Sequence, residues 1–181
     1  KRLNQRLQGA FEKLETVLER VSDEIEKKFN DKVMPKVYES VRAEIKRRST
    51  DAKPITELKF YDKLIKHFPN NEALLKEVKY VVTEDLPHYG PPEKIGVDSR
   101  MLEAYGIDAS ALQVEKAMAM TFDKTIFIQP QYVDDAHTFF HELVHVIQYH
   151  QLGFEKFLDF YVEAVFAGIP YENIPFEQMA F

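Results

Sequence analysis

The sequence contains no cysteine among its 181 residues. This absence excludes disulfide bonds and metal sites built from thiolates, although it does not identify a compartment. No apolar run approaches the roughly 20 residues that a membrane-spanning helix needs. Basic charge is also scarce, since 24 Lys and Arg stand against 30 Asp and Glu, for a net charge of -6. Nucleic acid is therefore not expected as the main partner.

The sequence does have the composition of a folded globular protein. Hydrophobic residues make up 45% of it and aromatic residues 13%, enough to bury a substantial core. We expect a soluble protein and favour a cytoplasmic location. A signal or anchor removed from a longer chain is also compatible with a sequence that begins at Lys1.

The first half of the chain is predicted to be helical. An apolar seam with spacings of four and three residues consists of Leu7, Phe11, Leu14, Leu18, Val21 and Ile25. It predicts a helix hairpin within the chain more readily than a dimeric coiled coil, because about three heptads are few for an independent coil. The pattern continues, interrupted or kinked at Pro35, to about Arg48. Further helices are predicted over 56–67 and 71–83, so we interpret residues 1–90 as an N-terminal helical region.

The clearest break in the sequence is the Pro- and Gly-rich stretch 87–92. Beyond it we predict a short strand over 94–98 and a short helix over 99–105. Two strands follow, Lys116–Phe122 and Thr125–Gln129, joined by a tight turn at Asp123 and Lys124. Helices then run to the end, which predicts a mainly helical α+β fold with a small antiparallel sheet. We interpret residues 91–181 as a core region. The N-terminal helices are either separate from it or packed on it, so that both form one compact domain.

The most informative motif is His141-Glu142-Leu143-Val144-His145. On an α-helix, residues i and i+4 lie on one face, so both imidazoles can point at one ion. Glu142 lies beside them, within reach of a water held in an open position of that ion. This is the H-E-x-x-H arrangement of zinc metallopeptidases.

The surroundings of the motif predict a buried helix. Asp134 and Asp135 suit the N-terminus of a helix, and Gly153 suits its end. Apolar residues lie on several sides of this helix, where unpaired imidazole and carboxylate groups would be costly and a metal would offset the cost. The alternative is that both histidines are hydrogen-bonded core or surface residues of an amphipathic helix.

These residues resemble the zincin metallopeptidases, and more closely the gluzincin branch. The stretches 117–128 and His141–Gln148 are also similar to small bacterial HExxH domains, including those attached to contractile injection systems. The resemblance covers roughly residues 94 to 181, while the first 90 residues match no family. It implies a zincin-like fold, bound Zn²⁺ and a third ligand from a glutamate downstream of the motif.

Two glutamates are candidates for that third ligand, Glu163 and Glu177. Glu177 is preferred because its Glu-x-x-Ala context resembles the ligand-bearing helix of several gluzincins. Where that pattern expects an acidic residue that would orient a ligand, this chain has Phe181. His137 lies one turn before His141 and is interpreted as an exposed residue at the helix start, and His150 points elsewhere.

We expect a zinc metallopeptidase, and more specifically an endopeptidase, that acts on a peptide or protein substrate. Glu142 would be the general base, and among the nearby phenols of Tyr149, Tyr161 and Tyr171 the preferred oxyanion donor is Tyr171. The Thr125–Gln129 strand is expected beside the cleft, where a substrate could add to the sheet edge. The alternative is an inactive zincin-fold binding module with the N-terminal helices as its partner surface. Oligomeric state is not determined by the sequence.

Overall fold

The computed structural model describes residues 27–87, 117–166 and 169–181, together with Gln5, Gln8, Gly9 and Glu12. The predicted seam between Leu7 and Ile25, the strand over 94–98 and the helix over 99–105 lie outside the described residues. The proposed boundary near residue 90 does so as well. The helices are α1 (Met34–Arg48), α2 (Tyr61–Ile65), α3 (Glu72–Leu75), α4 (Ala136–Leu152), α5 (Phe154–Phe166) and α6 (Pro175–Ala180). The strands are β1 (Lys53–Pro54), β2 (Lys79–Val82), β3 (Ala119–Phe122) and β4 (Thr125–Ile128).

The four strands form one sheet in the order β1-β2-β4-β3. The predicted hairpin is confirmed as the antiparallel pair β3 and β4, turned at Asp123, whose φ of 55° lies in the left-handed region that Asp tolerates in turns. β1 and β2 are also antiparallel, whereas β2 and β4 run parallel. The α+β class is therefore confirmed. The prediction of an antiparallel sheet is wrong in part, because the sheet is mixed.

The helix predicted over 71–83 is wrong in its second half. Only Glu72–Leu75 is helical, and the chain then enters β2 at Lys79. The stretch Tyr80-Val81-Val82 is rich in aromatic and β-branched residues, and pairing with two neighbouring strands overrides its helix-like apolar spacing. The helix predicted over 56–67 is likewise reduced to the 3₁₀ turn Ile55–Glu57 and the short α2.

Pro35 lies in the first turn of α1, directly after the π-helical turn Phe29–Val33. The chain is already helical before this proline, and because proline has no N–H to donate, it interrupts the hydrogen-bond ladder there, as the sequence predicts. The π-helical turn directly before α1 is the resulting irregularity. α1 packs against α5, where the Tyr38 hydroxyl donates a hydrogen bond to Asp159. Burial raises the pKa of the Asp159 carboxyl, and the bond from Tyr38 opposes that shift.

The alternation of β4 divides the core into two clusters. Phe127 packs with Val37 and Val41 of α1, whereas its neighbours Ile126 and Ile128 pack with residues of α4. A strand directs successive side chains to opposite faces, so one face of the hairpin is left to α4. Within the described residues, no helix combines the length and the apolar character needed to cross a membrane.

Candidate metal centre

The helix α4, which carries the motif, has the predicted limits. The Asp135 carboxylate accepts a hydrogen bond from the backbone N–H of His137 at 3.0 Å and another from Thr138 Oγ1 at 2.7 Å. Gly153 ends the helix with a φ of 89°, and its N–H donates to the carbonyl of Tyr149 at 2.8 Å. Both ends are thus capped by residue types suited to them.

α4 is buried along nearly its whole length, and the motif residues share this burial. His141 is 7% exposed, and Glu142 and His145 are each 5% exposed. The two imidazole rings lie on one face of the helix with their centroids 4.8 Å apart, edge to face. Groups of this polarity are costly to bury unless partners satisfy them.

The partner comes from α6, which follows the 3₁₀ turn Tyr171–Asn173 and carries Glu177. Glu177 is 2% exposed. Its Oε2 lies 2.8 Å from Nε2 of His141 and 3.2 Å from Nε2 of His145. The two Nε2 atoms are 3.1 Å apart. Three potential ligand atoms from two helices therefore converge on one buried point.

The triangle formed by these atoms has the dimensions of a metal site. Metal–nitrogen and metal–oxygen bonds of about 2.1 Å in a tetrahedral site place neighbouring ligand atoms roughly 3.4 Å apart. The separations of 2.8, 3.1 and 3.2 Å are slightly shorter than this, so an ion would require only small outward shifts. Two imidazoles and one carboxylate also form a donor set suited to a divalent transition ion. These residues could hold a metal ion.

Burial and pairing act in opposite directions on the ionisation of these groups. Burial raises the pKa of the Glu177 carboxyl, but the adjacent histidines and the Tyr161 hydroxyl outweigh burial and hold it well below its usual range. Burial lowers the pKa of His145, but the Glu177 carboxylate outweighs that and raises it to about 9. Glu177 is thus ionised at neutral pH, which is the form that binds a metal.

Glu142 faces the sheet and lies outside the group of three ligand atoms. Thr121 Oγ1, on β3, donates a hydrogen bond to its Oε2 at 2.5 Å. Burial raises the pKa of the Glu142 carboxyl, and the charge of His145 and the bond from Thr121 oppose this shift. The structure therefore places a held carboxylate next to, but outside, the candidate metal ligands.

Three further side chains surround the ligands. Gln148 contacts the ring of His145, and the Tyr161 hydroxyl donates to Oε1 of Glu177 at 2.7 Å. The Tyr171 hydroxyl lies 3.5 Å from Nε2 of His141, at the exposed side of the site. The sequence predicted Tyr161 only as a nearby phenol and did not single out Gln148 or Thr121. Gln148 could have been recognised from the sequence as a polar residue one turn after His145, placed between Ile147 and Tyr149 on a helix predicted to be buried.

Other candidates lie elsewhere. Glu163 is buried on α5, near Tyr38, and is not part of the ligand group found among the described residues. His137 is exposed at the helix start, as predicted, and its backbone N–H makes the capping contact.

The expectation that the Thr125–Gln129 strand forms the edge at the cleft is wrong, because β4 is paired on both sides. In the described sheet the edge strands are β1 and β3, and β3 contacts α4 through Thr121.

No family model, curated protein or solved structure matches this chain.

Proposed function

We propose that this chain is a zinc-dependent peptidase of the zincin type. One observation carries the proposal: the Nε2 atoms of His141 and His145 and Oε2 of Glu177 converge in a buried site, with Glu142 near enough for their charges to act on it. Two histidines and one glutamate are the protein ligands of several catalytic zinc sites, which keep a further position open. The order of these residues along the chain also agrees with the gluzincin resemblance of the motif.

Zinc bound by these three residues would lower the pKa of a water in its open position to about 7 and polarise a substrate carbonyl. The chain itself would supply proton transfer. Thr121 occupies Oε2 of Glu142, which leaves Oε1 to accept the proton of the attacking water. The same oxygen would then return the proton to the amine that leaves when the peptide bond breaks.

The geometry favours an extended peptide as substrate. β3 is one of the two edge strands of the described sheet, and its Thr121 contacts the proposed base. Because Met118 accepts a bond from Gln129 across the hairpin, the alternation of an antiparallel ladder turns the backbone groups of Ala119 and Thr121 outward. A substrate strand added at that edge would bring its carbonyl groups near Glu142. Tyr171, at the exposed side of His141, is positioned to donate to the developing oxyanion.

One observation favours a second function, in which the metal is structural and the chain is a binding module without turnover. All three ligand residues are buried, and the Phe181 ring lies edge-on to His141 with centroids 4.9 Å apart. A closed site of this kind would fasten α6 to α4 without admitting substrate. The partner surface of such a module would be the N-terminal helical region.

Two measurements on the purified chain decide between these functions. Elemental analysis should find about one zinc per chain in wild type and none in His141→Ala. A peptide library should then be cleaved by wild type but not by Glu142→Gln, which removes the base and keeps every ligand. Bound zinc without cleavage by wild type would establish the structural alternative. Absence of zinc from both proteins, even after its addition, would refute the metal site.

A further inference from the structure

Gln148 is fully buried on α4, one turn beyond His145. A primary amide offers one acceptor and two donor hydrogens, and burying it is costly unless these are satisfied. Its two ends contact different parts of the candidate metal centre. Oε1 lies 2.8 Å from Nδ1 of His145, and Nε2 lies 3.1 Å from the backbone carbonyl of Phe176.

The chemistry of these partners fixes the orientation of the amide. A backbone carbonyl only accepts hydrogen bonds, so the NH₂ group of Gln148 must face Phe176. The amide oxygen must then face His145, and because that oxygen cannot donate, Nδ1 of His145 must carry the hydrogen. In the neutral ring this leaves the lone pair on Nε2, which lies 3.1 Å from His141 Nε2 and 3.2 Å from Glu177 Oε2.

The second contact acts on the third ligand. Phe176 directly precedes Glu177 and is itself fully buried, so the bond from Gln148 holds the backbone at the start of α6 against α4. One side chain thus orients a histidine ligand and also locates the segment that supplies the carboxylate. Ligand histidines in metal sites usually donate their second N–H to a carboxylate or carbonyl oxygen. Here the acceptor is the amide oxygen of Gln148.

We propose that Gln148 is a positioning residue of the metal centre, which selects the Nδ1–H form of His145 and fixes the Phe176–Glu177 segment against the motif helix. The inference rests on the proposed metal site. It also accounts for the difference from the gluzincin pattern, in which an acidic residue that orients a ligand would stand at the position of Phe181. Here the orienting group comes from the motif helix itself.

The test measures Zn²⁺ affinity by competition with a chromophoric chelator. Gln148→Met keeps the length of the side chain but removes both hydrogen bonds, and should weaken binding about 10- to 100-fold. Gln148→Glu can accept from Nδ1–H but cannot donate to Phe176 when ionised, so its affinity should lie between those of wild type and Gln148→Met. Gln151→Met, an exposed position on the same helix, is the matched control and should bind as wild type.

A second readout needs no variant. In zinc-loaded wild type labelled with ¹⁵N-histidine, NMR should find the proton of His145 on Nδ1. A proton on Nε2 would overturn the proposal, as would equal affinities of Gln148→Met and wild type. Gln148→Glu binding as weakly as Gln148→Met would refute the orienting role. His145→Gln separates the two levels: if it loses zinc while Gln148→Met does not, only the inference about Gln148 fails, whereas absence of zinc from wild type removes the metal site too.

Discussion

Thr121 on β3 and Glu142 on α4 are joined by a hydrogen bond between the threonine hydroxyl and the glutamate Oε2, across 21 positions of sequence. Thr121 is itself buried, at 6% exposure. The bond connects one edge strand of the described sheet to the carboxylate beside the candidate ligands. A residue that a substrate strand would contact through its backbone therefore also orients the proposed base through its side chain.

Thr121→Val should reduce kcat for peptide hydrolysis about 10-fold while leaving zinc affinity unchanged. The substitution conserves shape but removes the donor that holds Oε2, whereas removal of a whole general base costs about 10²- to 10⁴-fold. Thr121→Ser retains the hydroxyl and should recover most of the rate. Steady-state kinetics and a zinc titration of the three proteins check this, and unchanged kcat in the valine variant would contradict the orienting role.

Glu177→Gln should weaken zinc binding by on the order of 100-fold or more, because it removes the charge of one ligand. Glu163→Gln is a matched control, since Glu163 is also buried but lies on α5 outside the ligand group of the described residues. Its affinity should stay within a few-fold of wild type. Tight binding in Glu177→Gln, with loss in Glu163→Gln, would reverse the assignment of the third ligand.

Zinc should raise the thermal stability of the chain. A ligand that binds only the folded state adds about 2.7 kcal/mol at 100 times its Kd, which corresponds to several degrees in Tm for a chain of this size. Calorimetry with and without zinc measures this shift, and a chelator should reverse it. The same shift in His145→Gln would place the stabilising zinc at some other site.

The Asp159 carboxyl should make stability depend on pH in an unusual direction. Burial raises its pKa in the folded state, so the folded chain retains this proton more strongly than the unfolded chain does. The contribution is fully present below the unfolded pKa of about 3.9 and is lost as pH rises through the folded value. Asp159→Asn should therefore become more stable relative to wild type between pH 3 and pH 7, by less than about 1 kcal/mol because the group is half exposed to solvent screening.

Denaturant unfolding of both proteins across that range checks the sign. Glu155→Gln removes a neighbouring charge that adds to the raised pKa of Asp159, so it should show a smaller trend in the same direction. A stability difference between Asp159→Asn and wild type that does not change with pH would refute the effect of burial on this carboxyl.

The helix that carries the ligand histidines and the hairpin beside it were predictable because their sequence signals are local. Asp135, Gly153 and the i, i+4 spacing of His141 and His145 define α4 from neighbouring residues alone. The hairpin turn at Asp123 has the same local character. Local sequence therefore predicted both the motif helix and the hairpin beside it.

Features that depend on distant pairing were not predictable in this way. β2 is a strand because Tyr80 and Val81 pair with Ile126 and Phe127, and nothing adjacent to β2 in sequence indicates those partners. The contacts of Gln148 with Phe176 and of Thr121 with Glu142 likewise require tertiary structure. The preference for Glu177 over Glu163 came from a sequence resemblance, whereas its distance to the histidines is a property of the folded chain.

The parallel pairing of β2 with β4 has a consequence for the order of folding. The β3–β4 hairpin closes across a two-residue turn and can form in microseconds. β2 cannot join until strands separated by the whole stretch of sequence between Val82 and Ala119 have met, a step with a larger entropic cost. We therefore expect the strand that touches Glu142 to be in place early, and the docking of β2 to set the folding rate.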